Sequence, residues 1–170
     1  MTTTITGATG VDNIRAATGA VLQVVSTVKT SVFSTGSTSW IDITGMAATI
    51  TPSSTSSKIF IQVDVTVGTG SNSYSFGRLM RGSTAIGIGD ASSNRNRVTF
   101  SLSGNSTHVT KSDNRGCNFL DSPSTTSATT YKVQVKTSQT VKINTTGEDE
   151  NHATTGLRAV STITLMEIAG

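Results

Sequence analysis

The stretch KIFIQVDVTV, Lys58 to Val67, sets Ile59, Ile61, Val63, Val65 and Val67 on one face and Phe60, Gln62, Asp64 and Thr66 on the other. A period of two marks a strand with one face in a core. A helix would scatter those apolar residues around its axis. The β-branched content agrees, because stiff branched side chains suit a pleated surface. The polar segment TPSSTSS, Thr51 to Ser57, precedes the run, and GTGSNS, Gly68 to Ser73, follows it. Turn chemistry therefore bounds the strand at both ends.

Working outward, the same pattern recurs. Val21 to Val28 reads as a strand with Leu22, Val24 and Val28 on one face, and Thr30 to Ser39 reads as a loop. Trp40 to Thr44 and Met46 to Thr51 read as strand halves, with a bulge or bend at Gly45 between them. Tyr74 to Arg81 and Thr84 to Ile88 form a hairpin on Gly82-Ser83, a pair suited to a II′ turn. Arg97 to Ser103, Cys117 to Leu120, Tyr131 to Lys136 and Val141 to Asn144 are further short strands, and Leu157 to Ile168 is the last. Nine or ten strands without a convincing helix predict an all-β sandwich or barrel. No repeat of solenoid or propeller length is present.

Composition narrows the class. The chain has 170 residues, of which 34% are hydrophobic and 14% charged, with a net charge of +3. A domain of this length buries roughly 70% of its unfolded surface and needs no staple. Low net charge argues against disorder. The pI near 9.3 is mildly basic, but the basic residues form no dense run, so no nucleic-acid partner is expected. No apolar run approaches spanning length, so no membrane insertion is expected. MTTTITGATG lacks the basic-then-apolar pattern of a signal peptide, which predicts assembly in a cytoplasm. The single cysteine, Cys117, excludes an intrachain disulfide and reads as a small buried or interface residue.

Several long strings resemble virion fibre-type proteins of marine bacteriophages. They are ITGATGVDNIRAATGAVLQVV, WIDITGMAATITPSSTSSKIFIQVDV, LMRGSTAIGIGD, FLDSPSTTSATTYKVQV and STITLMEIAG, in that order along the chain. The resemblance implies a jelly-roll-like antiparallel β-sandwich, without catalytic residues, located on the virion. The segment order is also similar, by analogy, to the trimeric heads of the tumour-necrosis-factor-like class. In the family such modules end much longer tail-fibre proteins. Here the module follows a short arm, leaving tail, neck and capsid open as its place.

Catalytic and cofactor motifs are absent from the sequence. Gly68-Thr69-Gly70 and Gly87-Ile88-Gly89 begin a GxG, but Ser73 and Ser92 stand where a third glycine belongs, so no cofactor is expected. No GxSxG elbow accompanies Asp64, His108 or His152. Glu148-Asp149-Glu150 beside His152 lacks the spacing of a calcium loop and reads as a solvated loop, so no metal is expected. Asn105-Ser106-Thr107 and Asn144-Thr145-Thr146 match the glycosylation pattern by chance. Trp40 and Tyr74 are assigned to core or interface, where a chain poor in aromatics needs bulk. Arg78, Arg81, Arg95, Arg97 and Arg115 are candidates for acidic polysaccharide or a neighbouring subunit, with subunit salt bridges the plainer role for Arg78 and Arg81.

The expected organisation is an attachment arm over residues 1–19 and a β-sandwich over 20–170. In the last strand Ile163 and Leu165 face one way, Met166 and Ile168 the other, so a second cover is needed and a homotrimer is expected. The polar loops Gly104 to Gly116 and Gly147 to Gly156 carry the candidate surface contacts His108, Lys111, Arg115, Glu148, Asp149 and His152. The expected role is a non-enzymatic fibre or appendage subunit touching other virion proteins or host-surface polysaccharide. A capsid decoration protein is the alternative, and a glycan depolymerase, which needs paired carboxylates in a cleft, ranks third.

Overall fold

A computed structural model describes residues 17–69, 73–103 and 111–170. Among these are eleven strands: β1 (Val21–Lys29), β2 (Phe33–Thr35), β3 (Ile41–Ile50), β4 (Lys58–Thr69), β5 (Ser75–Arg81), β6 (Thr84–Ile86), β7 (Phe100–Ser103), β8 (Ser112–Asp121), β9 (Thr129–Thr137), β10 (Val141–Ile143) and β11 (Ser161–Ile168). No described residue is helical.

The strands make two antiparallel sheets. In sheet A, β4 pairs with β8 along one edge; along the other it pairs first with β11 and then with β10. β1 lies beyond β11, and β2 lies beyond β10. The short strands thus extend long ones, giving four columns: β1/β2, β11/β10, β4 and β8. In sheet B the columns are β3, β9, β5 and β6/β7, the last two sharing β5's free edge. The chain crosses between sheets at β2–β3, β3–β4, β4–β5, β7–β8, β8–β9 and β9–β10. Eight columns in two sheets, joined this way, form a jelly-roll-like sandwich.

The core lies between the inner faces. Ile59, Ile61, Val63, Val65 and Val67 of β4 meet Leu79 of β5 and Tyr131, Val133 and Val135 of β9, with Ile163 and Leu165 beside them. Burying each such side chain contributes about 2 kcal/mol. Gly77 makes room for an aromatic ring: a Cβ there would lie 2.7 Å from Phe100 Cζ. Gly45 has φ +86 and sits where the β3–β9 register shifts, the bulge expected from the sequence. Gly82 opens the β5–β6 turn at φ +57, as a II′ turn requires.

Three expectations are corrected. Gly104 to Gly116 is not loop throughout, because Ser112 to Gly116 pairs with Asp64 to Gly68 as the start of β8. Thr30 to Ser39 contains β2. The last strand begins at Ser161, and Leu157 to Val160 lead into it without strand pairing. In each case pairing with a neighbour, and not local periodicity, sets the boundary.

The two ends of the sandwich differ. At one end the chain enters β1 and leaves β11 side by side, where Gly19 N donates to Ala169 O at 2.8 Å and Ala169 N to Ala20 O at 2.9 Å. Most of the expected arm, residues 1–16, lies outside the described residues. At the opposite end of β11 are Asn144 and the segment from Thr145 to Val160.

Candidate contact surfaces

The loop end is built on Asn144. Its φ is +66, a conformation asparagine tolerates better than most residues. Its Nδ2 donates to Lys29 O at 2.7 Å and Ser31 O at 3.2 Å, and its Oδ1 accepts from Ser161 Oγ at 2.6 Å. Asn144, Thr145 and Thr146 are buried, so this glycosylation pattern offers no free amide. Asn105 lies outside the described residues.

Beyond it the acidic run is anchored. Asp149 Oδ1 accepts from Thr145 Oγ1 at 2.6 Å and also from Arg158. The Thr145 and Arg158 bonds hold the Asp149 carboxyl below its usual range. Glu150 accepts from Thr155 Oγ1 at 2.6 Å, and His152 Nδ1 accepts from Thr154 N at 3.3 Å. Glu148 is exposed, and its hydrogen bond with Glu150 raises its carboxyl. Arg115, on β8, pairs with Asp113 at 2.9 Å in the open, and Lys111 is exposed just before that strand. His108 lies outside the described residues. Ser112 is opposite Gly68, and the backbone of Thr145 and Thr146 presses on the same glycine. The described ends of the two loops therefore meet at Gly68. No group of three or more His, Cys, Asp or Glu able to hold a metal occurs among the described residues. Cys117 packs on the core opposite Val63, where burial pushes its thiol up to about 11, far from a thiolate at neutral pH.

The outer face of sheet A is apolar at one level. Val24 is opposite Met166, Met166 opposite Phe60, and Phe60 opposite Leu120. One side chain from each column makes a continuous row, flanked by the pair Val21 and Ile168. Val24 is 56% exposed and Leu120 49%. Among the described residues of β1, β11, β4 and β8, this face carries charge only at Lys58 and Asp64. The alternation read in β1 is thus directed outward: Val24 and Val28 face solvent, while Val25 packs on the core.

The outer face of sheet B is polar and cationic. Asp42, Gln134 and Arg78 stand in one row across β3, β9 and β5. Gln134 Nε2 donates to Asp42 Oδ1 at 2.6 Å, and Arg78 Nε donates to Gln134 Oε1 at 2.8 Å. The Arg78 guanidinium stacks 4.4 Å above the Trp40 ring. Lys132 donates to Asp42 Oδ2 at 2.7 Å. Burial alone would raise Asp42; the bonds from Lys132 and Gln134 outweigh it and hold the carboxyl low. Lys136 Nζ reaches Asn96 Oδ1 at 2.8 Å. Trp40 and Tyr74, assigned to core or interface, both lie outside the core cluster, Trp40 half-buried and Tyr74 49% exposed, which removes the core alternative. Arg78 is held by Gln134 and Trp40 of the same chain, and Arg81 donates to both oxygens of Asp121 at 2.9 Å.

No family model matches the chain, and no curated protein matches it. Among solved structures it is similar to the VP2 protein of infectious bursal disease virus. In derived T=1 particles of a VP2 mutant the identity is 12% and the TM-score 0.45, over 96% of this chain and 44% of that one. For a VP2 subviral particle the values are 13% and 0.46, over 96% and 42%. For the Gx strain they are 16% and 0.40, over 96% and 46%. The chain spans less than half the length of each of these chains.

Proposed function

We propose that this chain is a non-enzymatic structural protein of a phage virion, a fibre or appendage subunit that assembles as a homotrimer. The observation that carries the reading is the row Val24, Met166, Phe60, Leu120 on a sheet face that is otherwise nearly free of charge. Such a face loses little by desolvation and gains by cover. Three-fold closure comes from the analogy with the trimeric heads of the tumour-necrosis-factor-like class, and the place on a virion from the resemblance to marine phage fibre proteins. In this reading the arm over residues 1–19 attaches to the particle. The loop end, with Lys111, Arg115, Glu148, Asp149 and His152, points away from it toward host surface or another virion protein. Light scattering at micromolar concentration is the test. A mass three times 17.6 kDa is expected, and a monomeric mass overturns the reading.

The same row supports a second reading, a capsid decoration protein seated by that face on a shell. Copy number per particle separates the two, since decoration proteins occupy lattice positions in many copies and fibres are few.

A further inference from the structure

We propose that the outer face of sheet B, centred on Arg78, is a binding surface for an acidic polysaccharide, a polymer carrying carboxylate or sulfate groups on sugar rings. The site is distinct from the loop end and from the apolar face of sheet A.

Arg78 is held ready for an oxyanion. Its Nε is spent on Gln134 and its plane rests on Trp40, so the guanidinium is oriented before any ligand arrives. Its two terminal nitrogens make no hydrogen bond within the described chain. A planar pair of free N–H donors matches a carboxylate or sulfate edge. Little side-chain entropy remains to be lost on binding. Lys132, Gln134 and Lys136 follow one another on the same side of β9, about 7 Å apart. Arg78 faces the middle one from β5. Asn96, hydrogen-bonded to Lys136, lies between the exposed Arg95 and Arg97.

Charge complementarity points to the occupant. Arg78, Arg95, Arg97, Lys132 and Lys136 are five cations, set against Asp42 and Asp90 on this face and the segment bordering it. The remaining eight cations and eight anions of the chain cancel, so this region accounts for the whole net charge of +3. The cations are spaced by neutral amides, which suits a polymer with one charge per sugar or two. A nucleic acid would call for denser cations and open stacking platforms, whereas the guanidinium already occupies a face of Trp40.

The choice of polymer rests on the surface-contact reading above, but its test is separate from the mass measurement. The full chain is run in native gels containing polygalacturonate, dextran or oligo-dT. Emission of Trp40, the one tryptophan of the chain, is followed during polygalacturonate titration. Retardation by polygalacturonate and not by dextran is expected, with a change in Trp40 emission. Arg78→Lys keeps the charge and loses the fork, and Lys136→Gln loses a cation. Each weakens binding about tenfold, the equivalent of one charge-assisted hydrogen bond. Lys58→Gln, on sheet A, leaves binding within about twofold. No retardation by polygalacturonate overturns the proposal. So does equal weakening by Lys58→Gln and Lys136→Gln, or equally tight binding of oligo-dT, either of which marks a diffuse polyanion effect.

Discussion

Tyr131 Oη donates to Asp121 Oδ2 at 2.7 Å, linking an interior strand of sheet B to the edge strand of sheet A. Asp121 is buried and also accepts two bonds from Arg81. Burial, then the bond to Asp121, pushes the Tyr131 phenol far up, so it remains a donor at any ordinary pH. Tyr131→Phe should cost about 1–2 kcal/mol, because Asp121 keeps its arginine while losing one buried partner. Urea denaturation measures it. A variant as stable as the parent would show that Arg81 alone satisfies Asp121.

Glu167 is fully buried, with Oε1 accepting from Ser53 N at 2.7 Å and Ser53 Oγ at 2.6 Å, and Oε2 from Gln23 Nε2 at 2.6 Å. Burial raises its carboxyl, but these bonds win and hold it at about 2. A depressed folded pKa gives stability that is complete above the unfolded value near 4.5 and is lost as pH falls toward about 2. Glu167→Gln should lower the melting temperature at pH 7, and the gap between parent and variant should narrow from pH 4.5 downward. A gap independent of pH would mean that the charge is not what Ser53 and Gln23 hold.

Gly77→Ala should displace the Phe100 ring from over β5 and cost about 1–3 kcal/mol, in the range of an overpacked core. Combining it with Phe100→Leu should recover part of that loss, since a smaller side chain vacates the contact. Thermal melts of the two single variants and the double variant give the coupling.

Val24→Glu tests assembly separately from folding. Val24 is 56% exposed, so the isolated fold should tolerate the change within about 0.5 kcal/mol. An added carboxylate in the row with Met166 and Phe60 should dissociate the proposed trimer. Circular dichroism and light scattering on one sample read both quantities. An unchanged trimeric mass would remove this face from the interface.

The two acidic neighbours in the loop should behave differently. Glu148→Ser, at an exposed side chain, should leave amide exchange across Gly147 to Gly156 unchanged. Asp149→Ser, which removes the carboxylate that Thr145 and Arg158 share, should speed exchange there without altering the core strands. Equal rates in both variants would contradict the anchoring role of Asp149.

Much of the sandwich was legible in the chain because period-two alternation reports a half-buried strand. The inner and outer sets of β4 and β11 follow it residue by residue. β8 escaped that reading at its start, since SDNRG has no alternation and owes its extended form to pairing with β4. In β1 the alternation was visible but its direction was not, because both faces carry valine. The loop over Gly147 to Gly156 looked merely solvated. The anchor on Asp149 needs Arg158, from beyond the loop, to be seen. Trp40 and Arg78 are far apart in sequence, and only the β3–β9–β5 order brings them together. An aromatic residue just ahead of a strand, with arginine and glutamine on outward-facing positions elsewhere, was the available signal.

Val21 lies opposite Ile168, so the chain enters and leaves the sandwich on adjacent antiparallel strands. Mechanical load then has two very different effects. Tension between those two points peels the β1–β11 ladder from its end, breaking one pair after another. Tension between the β1 entrance and the far loops runs along the strands, and the whole β1–β11 and β11–β4 ladders resist it in shear. A chain gripped at its base and pulled from the loops is loaded in its strong direction.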